Sequence, residues 1–275
     1  MSWYAFRVRP SDGATESVIA ALFEAGAQGV QELDDAVVTH FPSDVKLETV
    51  ASAVAAADPE SETDSWEVPD ADWSLLWRDG IAAHRLGRLT VAPPWLAGSL
   101  DPATTIVVEP GMAFGTGEHA TTRGVVRLLQ NVVRQGDVVA DLGAGSAVLA
   151  IAAAKLGARK VIAVELDEDA IPNAEQNVQA NCVADRVVVV QGDAAAILPL
   201  AAPVRVILAN IISSVLVSLL PIMERSLAPD GVAILSGILL EERPMMLEVL
   251  ADAGWAVKAE DMEDIWWSVE ISPAS

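Results

Sequence analysis

The sequence is poor in covalent cross-links and in positive charge. Its 275 residues contain one cysteine, Cys182, so no internal disulfide forms, which fits a reducing cytoplasm. Lysine and arginine number 17 against 39 aspartates and glutamates, and only four of the 17 are lysine. Phosphate backbones are bound through such cations, so direct nucleic-acid binding is not expected. The net charge of −22 steers in a basic protein, or else serves solubility or a salty cytoplasm; composition alone fits either. His40, His84 and Cys182 stand at no metal-ligand spacing, and no metal is expected. No signal-peptide pattern precedes the alternating residues 3–8. The apolar stretch 204–220 is cut by Asn210, Ser213, Ser214 and Ser218, like a buried strand followed by a helix. A membrane span is not expected, and the chain reads as a cytoplasmic monomer.

What is present is core material, 52% apolar residues against 20% charged, enough for one to two globular domains. Residues 1–60 read as a small α+β domain. Alternation predicts strands at 3–8, 29–33 and 36–41, the last two a hairpin around Asp34 and Asp35, with helices at 17–24 and 45–57. The first 65 residues hold twelve acids and three bases, Arg7, Arg9 and Lys46, a net charge of −9. Residues 61–100 read as a linker and connecting region, acidic and proline-bearing over 58–70, then tryptophan-rich, with a strand near 88–91. From 101 to 275 strands and helices alternate. Strands are predicted at 138–142, 161–165, 187–190, 204–209 and 232–236, and helices at 148–156, 168–181, 213–227 and 241–253. Nearly continuous apolar strands separated by helices predict a mostly parallel sheet. A closing strand pair at 255–259 and 265–271, turning at 260–264, requires an antiparallel member.

The chemistry gathers at the carboxyl ends of those strands, where open α/β sheets bind ligands. In the run Asp141-Leu142-Gly143-Ala144-Gly145-Ser146-Ala147, a strand enters a glycine turn that opens a helix. A dinucleotide fingerprint wants a third glycine where Val148 stands, and Asp141 is out of place beside a pyrophosphate. An acid there suits the cationic amino-acid part of S-adenosylmethionine. Glu165 ends the second strand, about 20 residues past the turn, placed to accept two ribose hydroxyls. Asp193, after the third strand, is placed to accept from an adenine amino group. Either acid also suits a helix N-cap. Asn210 ends the fourth strand, where its side-chain carbonyl can hold an amine beside the methyl donor, or where it can cap the helix from Ser213. Ala147, in the glycine turn, is expected at ordinary negative φ. His119 reads as scaffold rather than as a base. Trp266 and Trp267 should face opposite sides of a strand, one of them in the core.

Upstream lies Glu109-Pro110-Gly111-Met112-Ala113-Phe114-Gly115-Thr116-Gly117-Glu118-His119-Ala120-Thr121-Thr122. With Asp72-Trp73-Ser74-Leu75-Leu76-Trp77-Arg78, Gly87-Arg88-Leu89 and Pro93-Pro94-Trp95, this run resembles the bacterial methyltransferases of large-subunit ribosomal protein eleven over nearly the whole chain. The resemblance implies a class I S-adenosylmethionine-dependent methyltransferase, a Rossmann-like seven-stranded sheet, with a substrate-recognition domain at 1–60 and a catalytic domain at 101–275. It implies methylation of lysine side-chain and N-terminal amines of that basic ribosomal protein. Thr122, Gly143, Glu165 and Asn210 fall on the family's cofactor positions, joined by Asp141, Gly145 and Asp193 from the reading above. Phe114, Gly115 and Thr116 fall on its loop beside the active site, so Asn210, Phe114 and Thr116 are the catalytic candidates. The chain departs from the family in Glu165 for aspartate, in Ala144 and Ala147 within the turn, and in Ile211-Ile212-Ser213-Ser214 after the asparagine. A lysine methyltransferase of another protein, such as a flavoprotein subunit, is the alternative; a nicotinamide oxidoreductase and a non-catalytic binding module are more remote.

Overall fold

The computed structural model describes residues 3–11, 13–27, 29–33, 35–43, 45–68, 82–109 and 119–274. The chain divides into two compact units, Met1–Gly80 and Ile81–Ser275. No helix among the described residues is long and apolar enough to cross a membrane.

In the first unit β1 (Trp3–Arg9), α1 (Thr15–Glu24), β2 (Val30–Glu32), β3 (Val37–Pro42), α2 (Leu47–Ala57) and β4 (Glu62–Val68) follow in sequence. They form an antiparallel sheet of order β2-β3-β1-β4. Period-2 alternation sends Phe6, Val8, Val37 and Phe41 to one face, where they meet Val18 and Leu22 of α1 and Val50 and Val54 of α2. The expected linker is corrected in part: Glu62–Val68 is a strand paired along the whole of β1, from Arg9↔Glu62 to Trp3↔Val68. Acids and a proline concealed it, because an edge strand needs only one satisfied side and tolerates charge on the other.

The second unit opens with β5 (His84–Leu86), β6 (Leu89–Ala92), α3 (Pro94–Ala97) and β7 (Thr105–Val107), whose strands form a three-stranded sheet. Then come α4 (Ala120–Val132), β8 (Val138–Leu142), α5 (Val148–Lys155), β9 (Lys160–Glu165), α6 (Ile171–Ala180), β10 (Val187–Gln191) and α7 (Ala194–Ala201). The chain closes with β11 (Val204–Asn210), α8 (Ser213–Ser226), β12 (Leu227–Leu239), α9 (Arg243–Asp252), β13 (Trp255–Glu263) and β14 (Trp266–Pro273). The large sheet has seven strands in the order β10-β9-β8-β11-β12-β14-β13. β8 to β12 run parallel, whereas β14 is antiparallel to both β12 and β13. Each central strand feeds both faces: Val206 and Leu208 of β11 join the layer of α4, α5 and α6, and Ile207 and Ala209 join that of α7, α8 and α9. Helix α7 was not expected, since alanines and Pro199 blur its period, but Asp193 caps it through Ala195 N–H at 2.8 Å.

Trp267 is fully buried whereas Trp266 is only partly so, the division that strand alternation required. Ala147 contradicts its expectation: its φ is +63°. The chain must swing from the turn into α5, and Ala147 does so while its N–H donates to Ala144 O at 2.7 Å. That left-handed conformation costs a residue with a Cβ roughly 1–2 kcal/mol.

Candidate functional site

The strand order puts β8 beside β11, so their carboxyl ends bound a cleft at the point where the sheet's winding reverses. A cavity of about 760 Å³ lies there, lined among others by Thr121, Gly143, Gly145, Glu165, Asp193, Asn210 and Trp266. Gly143, Gly145, Glu165, Asp193 and Asn210, all singled out from sequence, thus share one wall system. Phe114 and Thr116 lie outside the described residues.

Glu165 ties the glycine turn to the end of β9. Its Oε2 accepts from Gly145 N–H at 2.8 Å and its Oε1 from Asp167 N–H at 2.9 Å. An ionised carboxylate has about four lone-pair sites, so two remain for two further donors. Gly143 sits at φ +72°, and a Cβ there would collide with Ile211 Cγ2. Gly143→Ala is therefore expected to lower stability by about 1–3 kcal/mol and to weaken ligand binding in the cleft at least tenfold. Thermal unfolding and calorimetric titration check this, and unchanged values would remove Gly143 from the site. Ile211 is held from the other side as well: its carbonyl oxygen would stand 2.6 Å from a Cβ on Gly237, which only glycine permits at φ +81°.

Asp141 departs from the sequence expectation. It is fully buried, is not among the cavity's lining residues, and its Oδ2 accepts from Ala150 N–H at 2.9 Å, one of the open donors in the first turn of α5. Its Oδ2 thus braces the turn from behind, while its Oδ1 is buried without a hydrogen-bond partner. Burial pushes its carboxyl up to about 7; the Ala150 N–H opposes this and the Glu165 charge adds to it. Because the folded value lies above the unfolded one, the stability this group contributes is full below about pH 4 and is lost as pH rises to about 7. Asp141→Asn should accordingly gain stability relative to the native chain across that interval, on the order of 3 kcal/mol by pH 8. Parallel unfolding curves from pH 4 to 8 would contradict this.

Asn210 does not cap α8, whose N-cap is Ile212. Its Nδ2 donates to Thr121 Oγ1 at 3.2 Å, and its Oδ1 is buried without a hydrogen-bond partner. Thr121 Oγ1 also lies 2.7 Å from His119 Nδ1, and His119 caps α4 by accepting from Thr121 N–H. Burial, and after it the Arg123 cation, hold the imidazole below its ordinary value. With Nδ1 unprotonated, the ring accepts from the Thr121 hydroxyl, Thr121 Oγ1 accepts from the Asn210 amide nitrogen, and the Asn210 oxygen is left without a partner. The His119 ring also packs edge-on against Trp266 at 5.0 Å. The scaffold reading of His119 thus agrees with its cap and its bonds.

Thr121 was passed over in the sequence in favour of Thr122. The structure takes Thr121 to the cavity; Thr122 is fully buried, and its Oγ1 has no partner among the described residues. Helical spacing offered the signal, since adjacent positions face about 100° apart and only one can point at the cleft. Ser213 was missed too: its hydroxyl donates to Glu242 Oε1 at 2.6 Å, while Glu242 Oε2 accepts from Leu239 N–H, tying the start of α8 to the end of β12. Among the described residues no three His, Cys, Asp or Glu side chains could hold a metal ion.

The sequence profile of the ribosomal protein L11 methyltransferases matches residues 2–273. The ribosomal protein L11 methyltransferase of Thermus thermophilus is 36% identical over 266 residues, which cover 96% of this chain and 97% of that one. The Enterococcus faecalis protein of the same name is 32% identical, with 98% of each chain covered. Among solved structures, a ribosomal protein L11 methylase from Lactobacillus delbrueckii subsp. bulgaricus superposes with a TM-score of 0.63 at 28% identity, over 71% of this chain and 100% of that one.

Proposed function

Since the chain belongs to the ribosomal protein L11 methyltransferase family, we propose that it methylates lysine side-chain and N-terminal amino groups of that ribosomal protein with S-adenosylmethionine. The observation that carries the reading is the Asn210 oxygen, buried, unpartnered and fixed in direction by Thr121 and His119. An unsatisfied buried acceptor costs about 1–3 kcal/mol, and an incoming N–H donor offsets that cost. When bound, S-adenosylmethionine supplies a methyl group already activated for transfer, so the chain needs neither a nucleophile of its own nor a metal.

The cleft fits that cofactor by its donor set. Gly143 and Gly145 let the backbone approach it closely, the remaining lone pairs of Glu165 suit two ribose hydroxyls, and Asp193 suits an adenine amino group. Thr122 and Asp141, each fully buried with one unpartnered side-chain oxygen, are assigned to the same cofactor site. The work left to the protein is positioning. A lysine must first lose a proton, which costs roughly 4–5 kcal/mol at pH 7 from an ordinary pKa near 10.4. Desolvation in the cleft lowers that cost by disfavouring the ammonium form, and Asn210 Oδ1 then holds the neutral amine by one of its N–H bonds. Phe114 and Thr116 are assigned to the substrate side of the same centre, and the enzyme to the cytoplasm, as a monomer.

Mass spectrometry of purified unmethylated ribosomal protein L11, incubated with enzyme and cofactor, tests the assignment. Methyl additions on amino groups are expected. An unmodified protein in the presence of bound cofactor would remove this substrate.

A further inference from the structure

The three-stranded sheet of order β5-β6-β7 leaves one side of β7 without a neighbouring strand. Alternate residues of a strand turn their backbone donors and acceptors to the same side. Thr104 O and Val108 N–H bond to β6, at Thr90 N–H (2.9 Å) and Ala92 O (3.1 Å), so Val107 and Glu109 face the other way. There α6 supplies side-chain amides in place of a strand. Asn181, the C-cap of α6, accepts from Val107 N–H at 2.8 Å and donates to Val107 O at 2.6 Å. One turn earlier, Asn177 Oδ1 accepts from Glu109 N–H at 2.9 Å. The spacings match, since four helical residues rise about 6 Å and two strand residues about 6.6 Å. Both amides are buried, Asn177 at 1% exposure and Asn181 at 6%.

Asn181 serves the strand edge and its own helix, donating also to Asn177 O at 2.8 Å. Asn177 has a further grip. Its Nδ2 donates to Ser146 O at 3.0 Å, one residue after the Gly145 whose N–H is held by Glu165. A single side chain thus joins two backbone points that lie far apart in sequence. Ser146 belongs to the glycine turn of the cleft. Glu109 is the last residue before the run 110–118, which carries Phe114 and Thr116. Pro110 biases Glu109 toward extended backbone, the conformation that continues the edge of β7. Asn177 itself is not among the residues that line the cavity. A misplacement of about 1 Å between reacting groups can cost 10²-fold in rate, so a side chain outside the cleft can still be felt within it.

We propose that Asn177 is a positioning residue for methyl transfer, holding the chain that leads into 110–118 at a fixed distance from the glycine turn. The assignment rests on the methyltransferase reading above and adds to it a residue outside the cleft. Full-length Asn177→Ala, Glu109→Pro and Asn181→Ala are compared with the native enzyme on ribosomal protein L11. Glu109→Pro deletes the N–H that Asn177 accepts from and leaves α6 untouched, so it serves where Asn177→Ala does not fold. Asn177→Ala and Glu109→Pro should each lower kcat about tenfold or more. Their calorimetric Kd for S-adenosylmethionine should stay within about threefold of native, because Glu165 still holds Gly145 N–H. Asn181→Ala, which gives up both bonds to Val107, should lower the unfolding midpoint yet keep kcat within about threefold. A native kcat in Glu109→Pro, or an equal loss of kcat in Asn181→Ala, reduces Asn177 to a structural brace and overturns the assignment. A Kd that rises as much as kcat falls does the same. No transfer to the ribosomal protein by the native enzyme overturns the substrate reading and this assignment together.

Discussion

Replacing Asn210 by alanine is expected to lower the rate of methyl transfer about 10²–10³-fold, the scale at which removing one pre-aimed polar group acts in other active sites. The same change should alter unfolding free energy by no more than about 1 kcal/mol. The side chain gives up a single hydrogen bond, from Nδ2 to Thr121 Oγ1, while its buried Oδ1 satisfies nothing in the folded chain. A residue kept for stability would show the opposite pattern. Cofactor affinity, read by calorimetry, should fall less than the rate, because Gly143, Gly145, Glu165 and Asp193 line the cavity independently of Asn210. Thr121→Val should give a milder loss of the same kind, since it frees the amide to rotate without removing the oxygen. An unfolding midpoint that collapses in Asn210→Ala would recast Asn210 as structural.

Deleting residues 1–80 should separate binding from recognition. The remaining unit keeps the seven-stranded sheet and every described residue of the cavity wall. S-adenosylmethionine should bind it within a few-fold of the full-length affinity. Methylation of ribosomal protein L11 should fall by about a hundredfold or more, because a second contact raises the effective concentration of a substrate by 10²–10⁴-fold. A short peptide should lose little, having nothing to offer the missing unit. Full activity of the truncated chain on the intact protein would refute the recognition role of the first unit.

The parts of this architecture that were legible in the sequence are those where local pattern and burial agree. β8, β9, β10 and β11 are apolar runs that end on Leu142, Glu165, Gln191 and Asn210, and of the helices between them α5 is apolar and buried from Val148 to Ala154 while α6 buries one side through Ala174, Asn177 and Val178. Edges and turns were less legible. β4 hid among acids because only one of its sides is paired, and the extension of β12 beyond 232–236 to Leu227–Leu239 was obscured by Pro229, Asp230 and Gly231, which disfavour strand interiors. Ala147 misled because composition cannot report a φ that the entry into α5 imposes. At the site, the strand ends announced Glu165, Asp193 and Asn210, as each sits where a parallel sheet offers its side chains to a ligand. Asp141 was legible along the chain but not in depth: two residues before Gly143, it is fully buried and accepts from Ala150 N–H in the first turn of α5. The Thr121 relay was invisible, since it joins residues 89 positions apart and depends on how α4 lies over β11.

Competition among possible acceptors tests the assigned reaction most directly. Unmethylated large-subunit ribosomal proteins, offered together with labelled S-adenosylmethionine, should yield label on protein L11 alone with the native enzyme and none with Asn210→Ala. Label on a different protein, or equal labelling by the two enzymes, would contradict the account.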